Sequence, residues 1–333
     1  MTGNCVIAKP AHQTPLVGYR AVQLAYQAGI PTNALHYLPG RGSVLGPSLL
    51  RDERTAGVAF TGSTSVAQGI AKTLLSREKA PIVPLIAETG GMNAMIVDSS
   101  ALPEQVVQDI IISSFQSAGQ RCSALRLLFV QEEIADIIIS MLQGAMAELS
   151  VGDPSLLSTD VGPVIDHDAE KFLQNSEKEL EKSARLIYRI ELDTTHQRGN
   201  FIPPQAWELA SSREMTEEIF GPILHVVRFK GADLDKVIDE INATGYGLTL
   251  GVHSRIDATI GQIRKRARVG NLYVNRSMIG AVVGVQPFGG EGLSGTGPKA
   301  GGPNYLVRFT VERTFSQDTT AAGGNATLLA DLE

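Results

Sequence analysis

Short apolar runs alternate with amphipathic helical stretches along the first ninety residues, and this alternation restricts the fold more than any other feature of the chain. CVIAKP reads as a strand, and TPLVGYRAVQLAYQAG reads as an amphipathic helix closed by Gly29. ALHYLPG and GVAFTGS follow as strands, STSVAQGIAKTLLSR as a helix with Ser and Thr at its start, and VPLIAETG as a fourth strand. Strand and helix units in this order predict an α/β fold, with a parallel sheet covered by helices on both faces.

The pattern resumes after Gly91. NAMIVD reads as a strand, LPEQVVQDIIISSFQSAGQR as one long helix leading to Cys122, LRLLFVQ as a strand and EEIADIIISMLQGAMAEL as a helix. Residues 169–184 form a charged surface helix, and ILHVVRF and LTLGVHS are strands flanking the helix ADLDKVIDEINATG. PFGGEGLSGTGPKAGGP is too rich in Gly and Pro for regular structure and reads as an ordered connection; DTTAAGGNATLLADLE reads as a flexible tail.

With 333 residues and 43% hydrophobic content, the chain has enough apolar material for two ordinary cores. Its net charge of −6, with no dense basic cluster, argues against nucleic acid or an anionic membrane surface as partner. The densest basic run, RKRAR at 264–268, sits where a solvated helix end is expected. No apolar run is long enough to span a bilayer, and the N-terminus lacks the pattern of a signal peptide. Two cysteines far apart do not make a disulfide framework and point to a reducing cytoplasm; six scattered histidines without metal-ligand spacing predict no metal site. Cys5, inside an apolar strand, reads as a buried small hydrophobe.

Two segments suit chemistry better than packing. In LIAETGG, Glu88 ends an apolar strand that runs into Gly90 and Gly91, where poor solvation raises a carboxyl pKa toward that of a general base. In SAGQRCSALR, Cys122 has Arg121 and Ser123 as neighbours, and positive charge nearby favours the nucleophilic thiolate. FTGSTSVAQG adds a strand-to-helix junction of small residues, with Gly62 and Ser63 where backbone amides attract an anion such as a pyrophosphate; a plain capped turn has the same appearance.

Taken in order, KPAHQTPL, PGRG, FTGST, ETGGMNAMIVD, GQRCSALR, EEIFGPILHVV, NLYVNR and QPFGG resemble the aldehyde dehydrogenase superfamily over nearly the whole chain. ETGGMNAMIVDSSAL, GQRCSALR and NRSMIGAVVGVQPFGGEGLSGTGPKAGGPNYL are similar to its pyrroline-5-carboxylate (glutamate semialdehyde) dehydrogenase branch. The resemblance implies a partial Rossmann-like NAD-binding domain at 1–90, an α/β catalytic domain at 91–300, and a C-terminal segment at 301–333 that packs on the coenzyme domain or mediates oligomerisation. It makes Cys122 the nucleophile and Glu88 the general base for NAD-dependent oxidation of glutamate semialdehyde through a cysteine thioester. NAD would meet Lys9 at the adenosine ribose, Gly62 and Ser63 at the pyrophosphate, Glu218 at the nicotinamide ribose and Phe220 at the nicotinamide. The substrate carboxylate would meet the amides of Gly280 and Ala281, helped by the Ser123 hydroxyl, although GAVVGV taken alone reads as a buried strand.

Two departures from the family pattern carry expectations. His12 stands where the family usually has Glu, which alters one ribose hydrogen bond. The family's segment ahead of KPA, whose Asn helps hold the developing oxyanion, is expected from a companion chain or a homo-oligomer, and losing one such donor typically costs about 100-fold to 1000-fold in rate. A catalytically inactive fragment acting as an interaction module, and a dehydrogenase for a different aldehyde, are the alternatives.

Overall fold

The computed structural model describes residues 2–318 and 330. Residues 319–329 and 331–333, most of the segment read as a flexible tail, lie outside the described residues. The N-terminal part runs β1 (Val6–Ala8), α1 (Pro15–Gln27), β2 (Leu35–Tyr37), α2 (Gly42–Arg51), β3 (Val58–Thr61), α3 (Thr64–Leu75) and β4 (Leu85–Glu88). Pro15 starts α1, where its missing N–H costs nothing, and Gly29 (φ +94°) follows the helix end in the left-handed region. Ser63 caps α3 by accepting from Val66 N at 3.4 Å.

These strands do not form the single parallel sheet that the alternation predicts. β1 pairs only with β2 and β3 only with β4, each in parallel, with no ladder joining the pairs among the described residues. Among the described residues β1 and β3 each keep one edge free, and the apolar side chains of β1 are poorly covered: Val6 is 48% and Ile7 54% exposed. Cys5 shares that environment and is exposed rather than buried. The sequence pattern also misses α2, because Gly42, Gly46 and Pro47 weaken its helical signature.

A seven-stranded sheet organises the rest of the chain. In chain order it comprises β5 (Ala94–Val97), α4 (Pro103–Phe115), β6 (Leu127–Gln131), α5 (Glu132–Ala147), α6 (His167–Ser183), β7 (Arg185–Arg189), β8 (Gln205–Glu208) and β9 (Ile223–Phe229). There follow α7 (Leu234–Ala243), β10 (Tyr246–Gly247), β11 (Thr249–His253), α8 (Asp257–Arg266), β12 (Asn271–Val274) and β13 (Glu291–Gly292). The strand order is β12-β11-β5-β6-β9-β8-β7, parallel throughout except for β7, which lies antiparallel at the edge. β5 and β11 are buried along their whole length, as central parallel strands are, and β5 reads as a continuous apolar run. β10 forms a small antiparallel pair with β13 of the Gly-rich connection.

α5 turns Ala135, Ile138, Leu142 and Met146 into the core at helical spacing. α6 is amphipathic and mostly solvated, capped by Asp166, whose carboxylate accepts from Ala169 N at 2.9 Å. That carboxylate also takes a hydrogen bond from Gln13 Nε2 at 2.8 Å, with His12 beside it, tying the chain ahead of α1 to α6. At the far end, Phe309 O accepts from Asn4 Nδ2 at 2.7 Å, so this stretch lies against the start of β1. Among the described residues no helix is long and apolar enough to cross a membrane.

Leu142 is 0% exposed whereas Leu157 is fully exposed. Leu142→Ala is therefore expected to destabilise the fold by about 2–5 kcal/mol, and Leu157→Ala by less than about 0.5 kcal/mol, read as shifts in the urea unfolding midpoint.

Candidate active site

The predicted helix leading to Cys122 stops at Phe115, and the way it stops builds the site. Ser117 (φ +57°), Ala118 (φ +52°) and Gly119 (φ +64°) are consecutive left-handed residues, an arrangement costing on the order of 1–2 kcal/mol at each non-glycine position. A side chain at Gly119 would overlap the carbonyl of Gly221, so the turn packs flush against the loop ahead of β9. Cys122 thus lies on a turn held between α4 and β6.

Asn93, just after the ETGG run, clips this turn to the sheet. Its Nδ2 donates to Cys122 O at 2.6 Å and to Ala124 O at 2.9 Å, while its Oδ1 accepts from Thr249 N at 3.1 Å. Ser113 of α4 makes a second clip: its carbonyl accepts from Leu125 N at 3.0 Å and its hydroxyl from Met278 N at 3.1 Å. The Cys122 turn and the chain entering Gly280 therefore share one anchor.

Glu88 ends β4 in register with Thr61, and its carbonyl accepts from Gly62 N at 3.1 Å. Its carboxylate lies in a cage of glycines, where a methyl group at Gly289 would come within 2.8 Å of Oε1 and one at Gly295 within 3.2 Å of Oε2. Gly290 N donates to Oε2 at 3.3 Å, whereas Oε1 is buried without a hydrogen-bond partner. Burial raises the Glu88 pKa to about 7, opposed by the Gly290 amide and the charge of Lys299. The packed glycines around the carboxylate are the source of that burial.

The Cys122 thiol departs from expectation. Burial pushes its pKa above the ordinary value, the Ser123 N–H pulls it down, and the carboxylates of Glu218 and Glu88 push it up again. Arg121 does not supply the charge that the sequence suggests; its Nε donates to Ser117 Oγ at 3.0 Å. The internal cation of this region is Arg126, which sequence reasoning left without a role. It is fully buried, with Nη1 donating to Gly221 O at 3.0 Å, Nη2 to Arg121 O at 3.3 Å, and Nη2 lying 3.6 Å from Glu218 Oε1. A charged residue at the mouth of the apolar run LLFV was the available signal.

Glu218 faces this centre rather than capping a helix end. A side chain at Gly90 would collide with its Oε2, the Gly91 amide and Arg126 hold the carboxylate, and burial raises its pKa. Phe220 is 39% exposed, with the Arg126 guanidinium 5.1 Å from its ring centroid.

Of the predicted residues, Glu88 and Glu218 both act on the Cys122 thiol, Ser123 follows it with its backbone N–H turned to the sulfur, and Phe220 stacks on the neighbouring Arg126. Gly62 and Ser63 form the β3–α3 junction, with Ser63 exposed. Lys9 follows β1, its Nζ donating to Pro10 O at 2.7 Å and lying 3.9 Å from the place a side chain on Gly42 would occupy at the start of α2. Gly280 (φ +74°) and Ala281 lie in an open loop, and their N–H groups have no acceptor among the described residues. The following Val282 and Val283 are 51% and 91% exposed, so this segment is a loop and not a buried strand. No group of three or more His, Cys, Asp or Glu able to hold a metal occurs among the described residues.

A half-buried thiol and a carboxyl of raised proton affinity thus share a glycine-lined centre in an α/β scaffold built on a mainly parallel sheet. Residues 1–315 match the Aldehyde dehydrogenase family, and the chain belongs to that family. It is 54% identical over 318 residues to the Bifunctional protein PutA of Klebsiella aerogenes, covering 93% of this chain and 24% of that protein. It is 39% identical over 321 residues to the 1-pyrroline-5-carboxylate dehydrogenase of Geobacillus kaustophilus, covering 95% of this chain and 62% of that one. A crystal structure of a Bradyrhizobium japonicum Proline Utilization A (PutA) mutant superposes with a TM-score of 0.92 at 56% identity, covering 96% of this chain and 32% of that one. The chain thus spans about a quarter of the length of the bifunctional relatives.

The raised pKa of Glu88 has a thermodynamic signature. Between 4.5 and about 7 the folded chain holds a proton on Glu88 that the unfolded chain has released, so this group lowers stability as pH rises through that window. Glu88→Gln removes the penalty. Its melting temperature relative to the native chain is expected to be higher well above pH 7 than below pH 4.5, as read by thermal denaturation at the two extremes.

Proposed function

We propose that this chain carries the catalytic centre of an NAD-dependent dehydrogenase that oxidises L-glutamate γ-semialdehyde, the open form of pyrroline-5-carboxylate, to L-glutamate in proline catabolism. The observation that carries the reading is the convergence of Cys122 on its left-handed turn with the caged, proton-holding Glu88. The relatives named for pyrroline-5-carboxylate support the choice of aldehyde.

In this reading Cys122 Sγ bonds to the aldehyde carbon, and the carbonyl oxygen takes up the thiol proton. When bound, NAD would accept the hydride from the former aldehyde carbon; with loss of the hydroxyl proton to solvent, this leaves Cys122 carrying a thioester. Glu88 then takes a proton from water, whose oxygen attacks the thioester carbon and releases glutamate with the thiol restored. A carboxyl with a pKa near 7 is matched to that proton transfer, since it accepts a proton at neutral pH and returns it readily. The unbonded amides of Gly280 and Ala281, in a loop pinned through Ser113, suit the substrate's remote carboxylate.

The residues present fit a dinucleotide. The first-turn amides of α3 with Gly62 and Ser63 suit the pyrophosphate, Lys9 the adenosine ribose, and Glu218, whose Oε1 lacks a hydrogen-bond partner, the nicotinamide ribose with Phe220 beside it. Residues 1–90 serve as the nucleotide-binding part, 91–300 as the catalytic part and 301–333 as a packing or oligomerisation segment. The free edges of β1 and β3, with exposed Val6 and Ile7, favour a companion segment that adds to this part, and the setting is cytoplasmic.

The test is NADH formation from NAD and pyrroline-5-carboxylate by the purified chain, with Cys122→Ala as control. Turnover that disappears in Cys122→Ala, at a rate rising as pH passes through about 7, is expected. Folded protein that binds NAD and shows no Cys122-dependent turnover, alone or with the companion segment added, would overturn the reading.

A further inference from the structure

The cage around Glu88 is itself held from β12. Asn271, the first residue of that strand, clasps the loop ahead of β13 with its side-chain amide: Nδ2 donates to Pro287 O at 3.0 Å, and Oδ1 accepts from Gly289 N at 3.4 Å. The same Oδ1 lies 3.5 Å from Lys299 Nζ, which also donates to Gly270 O. Phe288 and Ala300 exchange both backbone hydrogen bonds, at 3.0 and 2.8 Å, so the arm bearing Lys299 is zipped to the arm bearing Gly289 and Gly290. A side chain at Gly289 would meet Glu88 Oε1 at 2.8 Å and Lys299 Cα at 3.2 Å, which places the two arms around the carboxylate. The ammonium is tethered by two acceptors and is half-buried, so it does not swing into solvent.

We propose that Lys299, fixed by Asn271, is a positioning residue for Glu88: the pair presses the Gly289–Gly290 backbone against the carboxylate and keeps one positive charge beside it. The proposal rests on the reading of Glu88 as general base. The charged and titratable groups facing this carboxyl are few. Lys299 comes from the Gly-rich connection and Cys122 from the turn after α4, Glu218 acts on the thiol from the loop ahead of β9, and β3 presents the uncharged Thr61. Lys299 is the cation that offsets burial at Glu88. With it, the carboxyl loses its proton near neutrality; without it, burial acts unopposed except by the Gly290 amide.

The experiment titrates Glu88 directly, by the infrared band of its protonated carboxyl in the full chain, taken as a difference from Glu88→Gln so that only this residue contributes. Lys299→Gln removes the charge and keeps a donor for Gly270 O, Lys299→Arg keeps the charge, and Asn271→Ala frees the tether. The native band is expected to titrate near 7 and that of Lys299→Gln higher by more than about 0.3 units, at least a twofold change in proton affinity. Lys299→Arg should stay within about 0.3 units of the native chain, and Asn271→Ala should shift in the same direction as Lys299→Gln by less. A merely structural lysine would leave the titration of folded Lys299→Gln in place, and that result overturns the proposal while the base reading stands. A native difference band with no titration near neutrality overturns both.

Discussion

A guanidinium with no access to solvent needs partners from the protein, and Arg126 imposes that requirement on the centre of this protein through its two terminal nitrogens, its Nε being left without a hydrogen bond. Its partners come from segments remote in sequence: the carbonyl of Arg121 on the Cys122 turn, and the carbonyl of Gly221 and carboxylate of Glu218 ahead of β9. Satisfying one charge therefore fixes the thiol-bearing turn against the loop that carries Glu218 and Phe220. Removing one partner of such a buried pair typically costs about 3–5 kcal/mol, because the remaining charge is stranded. The interaction specifies geometry more than it adds stability, since the desolvation of Arg126 opposes much of the Coulombic gain.

Around that pair, three acidic groups crowd together, and their mutual effects all run in one direction. Burial raises Glu88, Glu218 and Cys122, and the negative charges of the two carboxylates raise the thiol further. Full ionisation would place three negative charges in a poorly solvated centre with only Arg126 and Lys299 to balance them. A resting state with the thiol and much of Glu88 protonated follows from that imbalance.

Glycine decides how closely these groups approach. Gly90 leaves room for the Glu218 carboxylate, and Gly289 and Gly295 leave room for that of Glu88. At Gly119 the constraint is double, since the position is left-handed and a side chain would overlap Gly221. The backbone thus comes within contact distance of charged side chains, which keeps water away from them and produces the raised proton affinities.

Some of this was legible in the sequence. The run ILHVVRF coincides with β9, and the small residues of FTGSTS mark the β3–α3 junction. The apolar approach to Glu88 also announced a poorly solvated carboxyl, because local pattern and local desolvation are properties of neighbouring residues. α2 was hidden by its Gly and Pro content, and the end of α4 at Phe115 because no Gly or Pro marks a break before Gly119. The separation of β1–β2 from β3–β4 was hidden as well, since strand pairing is decided between segments and not within them. The roles of Arg126, Asn93 and Lys299 likewise appear only when residues distant in the chain meet. By itself the sequence determined the alternation of most strands and helices and drew attention to Glu88 and Cys122, through periodicity and residue type. Only the tertiary structure decided that Arg121 leaves the thiol unaided, that Glu218 turns inward to Arg126 and that Lys299 stands beside Glu88, because burial and charge act through space between elements.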